Sequence, residues 1–158
     1  MFSLSNKEGC EKLAEIISKY RKIIATGGTA NYLRNKGIDV VELSKITGLK
    51  EKREIKTLHP WIFEMIYSGV IDVVVVNLYP FSEKPCLNNI DIGGVTLLRA
   101  AAKNYEKVLV VCKIDQYSEV IKKFPFIEDL RLKFACEAFK LTSSYDKIIC
   151  DWLCNLRR

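Results

Sequence analysis

The segment Asn89-Ile90-Asp91-Ile92-Gly93-Gly94-Val95-Thr96-Leu97-Leu98-Arg99-Ala100-Ala101-Ala102-Lys103-Asn104 decides how the rest of the chain is read. It begins with a carboxylate, passes two glycines and continues as an unbroken run of helix formers to a lysine. Gly93-Gly94 permits a tight turn and close approach of a ligand to main-chain N–H groups. Val95 to Ala102 is small and apolar on nearly every side, which predicts a helix buried almost all round. Such a helix, opening on Asp-x-Gly-Gly, presents N–H donors and a partial positive charge at its start. Taken alone, the segment reads equally as an ordinary core helix with a glycine lead-in, so its neighbours must decide.

Upstream, Ile71 to Val76 is apolar on both faces and reads as a central parallel strand. It ends in Asn77-Leu78-Tyr79-Pro80-Phe81, which puts Asn77 and Tyr79 at a strand's carboxyl end, where open α/β sheets bind ligands. A short loop through Pro85 then reaches the helix. Downstream, Lys107 to Cys112 is the next strand, and Ile114-Asp115 caps a helix to about Phe124. After Pro125 a long amphipathic helix, or a pair of helices, runs from about Glu128 to Leu156. Leu130, Phe134, Ala138, Leu141, Tyr145 and Ile149 mark its apolar side.

The N-terminal half repeats the alternation. Residues 2 to 5 form a first strand, closed by Ser5-Asn6-Lys7, and a helix follows from about Lys7 to Tyr20. N-cap chemistry accounts for Ser5 or Asn6 alone; hydroxyl, amide and ammonium together also suit an anion. Lys22 to Ala25 is a second strand and delivers Thr26-Gly27-Gly28-Thr29 to a helix that ends near Gly37. A strand, a Gly-rich turn and a helix N-terminus in succession is a phosphate-holding arrangement, although this is neither a Walker loop nor a G-x-G-x-x-G. Ile38 to Leu43 is a third strand, Ser44 to Lys52 a polar loop with a short helix, and Trp61 to Ser68 a helix ending at Gly69. Strands alternating with helices define an α/β protein with a parallel sheet. His59, the only histidine, has a reference pKa suited to a general base. A hydrogen-bonded structural histidine is the favoured reading.

Composition narrows the function classes. A chain of 158 residues that is 49% hydrophobic and 28% charged predicts one globular domain. No apolar run is long enough to span a bilayer. Phe2-Ser3-Leu4-Ser5 reads as a strand entering a charged helix rather than as a signal peptide, so a cytoplasmic protein is expected. Six cysteines with no C-x-x-C pair, and one histidine, predict reduced thiols and no bound metal. The net charge is +6, yet the lysines are scattered and no aromatic platform interleaves with them. That argues against nucleic acid and for a phosphorylated small molecule.

Together these blocks resemble the inosine-monophosphate cyclohydrolase domain of the bifunctional purine-biosynthesis enzyme. The matching stretches are Phe2–Gly9 (FSLSNKEG), Thr26–Ala30 (TGGTA), Lys56–Pro60 (KTLHP), Asn77–Phe81 (NLYPF), Ile90–Asn104 (IDIGGVTLLRAAAKN) and Ala138-Phe139 with Thr142 and Tyr145-Asp146. The resemblance implies a methylglyoxal-synthase-like three-layer sandwich, a parallel sheet of about five strands between helices, covering residues 1–158 as a single domain. It also implies closure of 5-formamidoimidazole-4-carboxamide ribonucleotide to inosine monophosphate with loss of water, without metal or organic cofactor. By matched position, Ser5, Asn6, Lys7, Thr26, Gly27, Gly28 and Thr29 hold the nucleotide, chiefly its phosphate. Lys56, Thr57, Asn77, Asp91 and Ile92 surround the base, Ile55 and Gly93 also bind substrate, and Lys103, Lys56, Tyr79 and Asp91 carry the chemistry.

Three departures accompany the resemblance. Glu54 stands where the family has arginine, with Arg53 adjacent. The segment between Pro60 and Ile71 is shorter than in the family and lacks its His-Gly-Gly-Ile-Leu run. No transformylase half follows in this sequence, which leaves two expectations: a stand-alone cyclohydrolase, for which a separate transformylase is a possible partner, or a fragment of something longer. Two alternatives share the fold. Methylglyoxal synthase needs its own aspartate and histidines near the phosphate turn, and a nucleotide-sensing regulatory domain has no need for Lys103, Tyr79 and Asp91 together. Helix geometry adds one expectation: Gly94 and Lys103 are about 14 Å apart along a straight helix. Either the helix breaks or Lys103 serves a partner's site, and the resemblance implies a homodimer.

Overall fold

The computed structural model describes residues 1–49 and 56–156. Five strands, β1 (Phe2–Leu4), β2 (Ile23–Ala25), β3 (Val40–Glu42), β4 (Val73–Asn77) and β5 (Leu109–Val111), form one sheet in the order β3-β2-β1-β4-β5. All four pairings are parallel. The chain belongs to the α/β class that the alternation of elements predicts. β1, not β4, is the middle strand; β4 is interior, between β1 and β5. Val73 to Val76 are all buried, as a strand covered on both faces requires, and each such side chain contributes about 1.5–3 kcal/mol of burial.

Among the described residues, seven α-helices connect and cover the strands: α1 (Cys10–Ser18), α2 (Gly27–Asn35), α3 (Leu43–Thr47), α4 (Pro60–Ser68), α5 (Gly93–Lys103), α6 (Tyr117–Lys123) and α7 (Glu128–Asn155). The β1-to-β2 and β4-to-β5 connections run in opposite directions along the sheet. With right-handed crossovers, α1 and α5 therefore lie on opposite faces. α6 packs on α1 and α7 packs on α5, which completes a layer of helices on each side.

The sheet order has a functional consequence. The chain works outward from β1 to β3 and then returns to β4 on the other side of β1. A crevice therefore opens at the carboxyl ends of β1 and β4, the switch point where such sheets bind ligands. Leu4 and Asn77 pair in register at that edge.

Several elements differ from the sequence expectation for local reasons. α1 starts at Cys10 rather than Lys7, because Gly9 takes a left-handed φ of 69° and Ser5 to Lys7 form a loop. Asn6 does not cap the helix; its Oδ1 accepts from Glu8 N–H at 2.9 Å. Gly93 and Gly94 form the first turn of α5 rather than preceding it. That helix is buried except for a stripe that exposes Arg99 and Lys103. The link from β4 to α5 is not a short loop: it holds two 3-10 turns, Phe81–Glu83 and Leu87–Asn89. α7 is one helix, whose buried side is Leu130, Phe134, Ala135, Ala138, Thr142 and Tyr145.

Cysteine chemistry follows burial. All six thiols are free, and burial pushes those of Cys10 and Cys112 up to about 11, so both are protonated core residues. Among the described residues, no helix is long and apolar enough to cross a membrane.

Candidate functional site

A cleft of about 670 Å³ lies at the carboxyl ends of β1 and β4, lined in part by Ser5, Thr26, Lys56, Thr57, Asn77, Tyr79, Asp91, Ile92 and Gly93. These residues come from five separate stretches of sequence, and the topology brings them to one edge of the sheet.

Asp91 is held on several sides. Its Oδ1 accepts from Gly94 N–H at 2.6 Å and its Oδ2 from Tyr79 N–H at 3.3 Å. The carboxylate thus sits at the N-terminus of α5, where the helix dipole favours an anion. A Cβ on Gly94 would lie 2.6 Å from Asp91 Oδ2, and one on Gly93 would lie 2.1 Å from Thr57 Oγ1. The two glycines are therefore required by space: one lets the carboxylate fold back onto the helix, and the other seats the buried Thr57.

Asn77 is committed to the protein itself. Its Oδ1 accepts from Ser5 N–H at 2.7 Å and Asn6 N–H at 3.1 Å, and its Nδ2 donates to Asn6 C=O at 2.6 Å. Ser5 Oγ lies 2.8 Å from both Asn77 Oδ1 and Leu78 O. The asparagine fixes the loop after β1, so its place in the cleft wall goes with a supporting function. Thr29 behaves similarly: it is 1% exposed, and its Oγ1 accepts from Leu4 N–H at 3.1 Å. It ties the first turn of α2 to the end of β1 rather than presenting a hydroxyl outward.

Asn6, Lys7, Gly27, Gly28 and Thr29 do not line the cleft, yet they flank it through Ser5 and Thr26. Lys7 Nζ lies 3.4 Å from Ser5 C=O. Thr26 is the N-cap of α2, with the helix's first-turn amides beside it. Ile55, like Arg53 and Glu54, lies outside the described residues. His59 caps α4, its Nδ1 accepting from Trp61 N–H at 3.2 Å, which is the structural part favoured for it. Lys103 ends α5 away from the cleft, 5.8 Å from the Tyr67 ring centroid, beside an apolar groove that includes Tyr105 and Phe139. α5 is continuous, so one chain does not bring Asp91 and Lys103 together.

The structure also adds lining residues that the sequence reading missed: Lys84, Cys86, Asn88 and Asn89. All four belong to the linker from β4 to α5. Its length and polarity at a strand's carboxyl end were the available signal, since loops there carry function in α/β sheets. Lys56 and Lys84 bring positive charge to a cleft that also holds Asp91, a balance suited to an anionic ligand with a polar reacting centre.

Fold and cleft define an α/β protein with a polar crevice at the switch point of its sheet, and comparison with known proteins makes the class specific. Residues 10–112 match the MGS-like domain family, and the chain belongs to it. Residues 101–158 match the AICARFT/IMPCHase bienzyme family. The chain is 42% identical over 180 aligned positions to the bifunctional purine biosynthesis protein PurH of Aquifex aeolicus, an alignment covering 94% of this chain and 35% of that protein. It is 39% identical over 190 positions to PurH of Clostridium kluyveri, covering 97% of this chain and 37% of the relative. The chain thus spans little more than a third of these relatives' length. The crystal structure of ForH superposes with a TM-score of 0.76 at 26% identity, covering 93% of each chain.

Proposed function

We propose that this chain is an inosine-monophosphate cyclohydrolase, closing the formamido ribonucleotide to the purine in a cytoplasmic pathway step. The observation that carries the reading is Asp91 fixed at the start of α5, in one cleft with Lys56, Thr57 and Tyr79. The identity to two PurH proteins across nearly the whole chain supports it. Methylglyoxal synthase chemistry is not favoured, since the single histidine caps α4 and does not line the cleft.

The chemistry sets what each group must do. The carboxamide nitrogen attacks the formamide carbon, a C–N bond forms, and the carbonyl electron pair moves to oxygen. The nitrogen gives up a proton. The oxyanion takes up that proton to become a hydroxyl. The hydroxyl leaves as water with a second proton while the former formamide nitrogen loses its own, forming the C=N bond and completing the purine ring. Lys56 and nearby main-chain N–H groups stabilise the oxyanion, a contribution of about 3–4 kcal/mol per well-placed donor. Asp91, Tyr79 and Lys103 move protons, worth about 10²–10⁴ in rate. No electron is transferred, so the ring closure calls for no redox cofactor. Because α5 is one unbroken helix, Lys103 reaches this chemistry from a second copy of the chain, and the reading includes a two-fold homodimer with shared sites.

The reading is tested by adding the formamido ribonucleotide to the purified protein and following ultraviolet absorbance for purine formation. Enzyme-dependent formation of inosine monophosphate supports it, and its absence at high enzyme concentration refutes it.

Phosphate recognition is the second expectation. Lys7 beside Ser5, and the first turn of α2, provide an ammonium and amide donors at one side of the cleft. Lys7→Ala should weaken inosine-monophosphate binding about tenfold and flatten its salt dependence. Isothermal titration with the nucleotide and with the nucleoside checks this. Equal affinity for the two would remove the phosphate site.

A further inference from the structure

Tyr145 lies on α7, 8% exposed and outside the cleft. Its hydroxyl accepts from Asp91 N–H at 2.9 Å and donates to Asn89 C=O at 3.3 Å. Those two bonds close around Ile90 and fix the backbone immediately before the candidate carboxylate. The ring is held in turn: it meets Phe81 edge-on at 6.3 Å between centroids, and Trp152, two turns further along α7, meets Phe81 at 5.4 Å. Burial, with the Asp91 charge nearby, raises the hydroxyl's pKa, so it stays protonated and able to donate.

The loop from β4 to α5 holds two short 3-10 turns, and within it Asn89 Nδ2 donates to Lys84 C=O at 2.8 Å. The Asp91 carboxylate accepts from Gly94 and Tyr79 N–H. No sheet ladder fixes Asp91 there, so a remote contact can decide where its carboxylate points. We propose that Tyr145 is a positioning residue for the reaction: by clamping Asn89 and Asp91 from the outer helix layer, it sets the Asp91 carboxylate against the substrate without touching the nucleotide. The inference rests on the cyclohydrolase reading, and it places α7 in turnover rather than only in the core.

Tyr145→Phe keeps the ring against Phe81 and removes only the hydroxyl. The expected result is a fall in kcat of about 10- to 100-fold with KM changed less than about threefold, because misplacing a reacting group by about 1 Å costs roughly that much. The discriminating measurement is the same substitution in an Asp91→Asn background, read by single-turnover kinetics with enzyme in excess. If Tyr145 acts through the carboxylate, its removal there should change the rate less than about threefold. An equal loss in both backgrounds, or an unchanged kcat in Tyr145→Phe alone, overturns the proposal. Native-state amide exchange on the wild-type protein gives a second test independent of any variant's folding. The Asp91 amide should be protected, and rapid exchange there also overturns the clamp. Wild-type protein that makes no inosine monophosphate refutes the cyclohydrolase reading instead, and amide exchange still judges the clamp.

Discussion

Asp91→Asn should lower turnover by about 10²–10⁴-fold while nucleotide affinity stays within a few-fold of wild type. The expectation follows from what the carboxylate does and does not hold up. Its two oxygens accept from Gly94 and Tyr79 N–H groups, and an asparagine carbonyl can keep one of those bonds. Asparagine is also a good residue at a helix start, so the stability loss should be at most about 1 kcal/mol. A structural carboxylate would therefore tolerate the change, whereas a proton-transfer group would not. Steady-state kinetics beside thermal denaturation separates the two. Unchanged kcat would remove Asp91 from the chemistry and leave it as the cap of α5.

Activity should return when two dead subunits are mixed. Lys103→Ala and Asp91→Asn homodimers are each expected to lose at least about 100-fold in kcat. A heterodimer would carry one site built from an intact Asp91 side and an intact Lys103 side. With random exchange of equal amounts, half the dimers are mixed and one of their two sites is whole, so about a quarter of wild-type activity should reappear. The reason is spatial: α5 runs unbroken from Gly93 to Lys103, its two ends separated by about 15 Å. A lysine side chain spans less than half of that. Subunit exchange demonstrated by mass spectrometry, with no recovery of activity, would return Lys103 to its own chain and end the shared-site proposal.

The strands and helices were legible where periodicity was strong. Val73 to Val76 could only be a covered strand, and Gly93 to Lys103 a mostly buried helix. Boundaries failed where one side chain from afar intervenes. α1 starts late because Asn77, more than 70 positions away, holds Ser5 and Asn6 in a loop. The same bonds give Asn77, matched to the base-binding set, a second task in holding the loop after β1. No local pattern announces such a strut; it exists only once β1 and β4 pair. β4 looked central because of its apolar run, whereas β1, with three residues and one polar centre, gave no sign of being the middle strand. Lys84, Cys86, Asn88 and Asn89 give no sign in the sequence for a similar reason. Their linker has no periodicity, and only the switch-point crevice shows which way it faces.

The cleft between the carboxyl ends of β1 and β4 is the proposed nucleotide site. A crystal structure with bound inosine monophosphate tests that most directly. The expected result is phosphate density against Ser5, Lys7 and the first turn of α2, with the purine beside Asp91 and Thr57 and a Lys103 side chain arriving from a second subunit. Nucleotide bound elsewhere on the surface, with this cleft filled only by solvent, would contradict it.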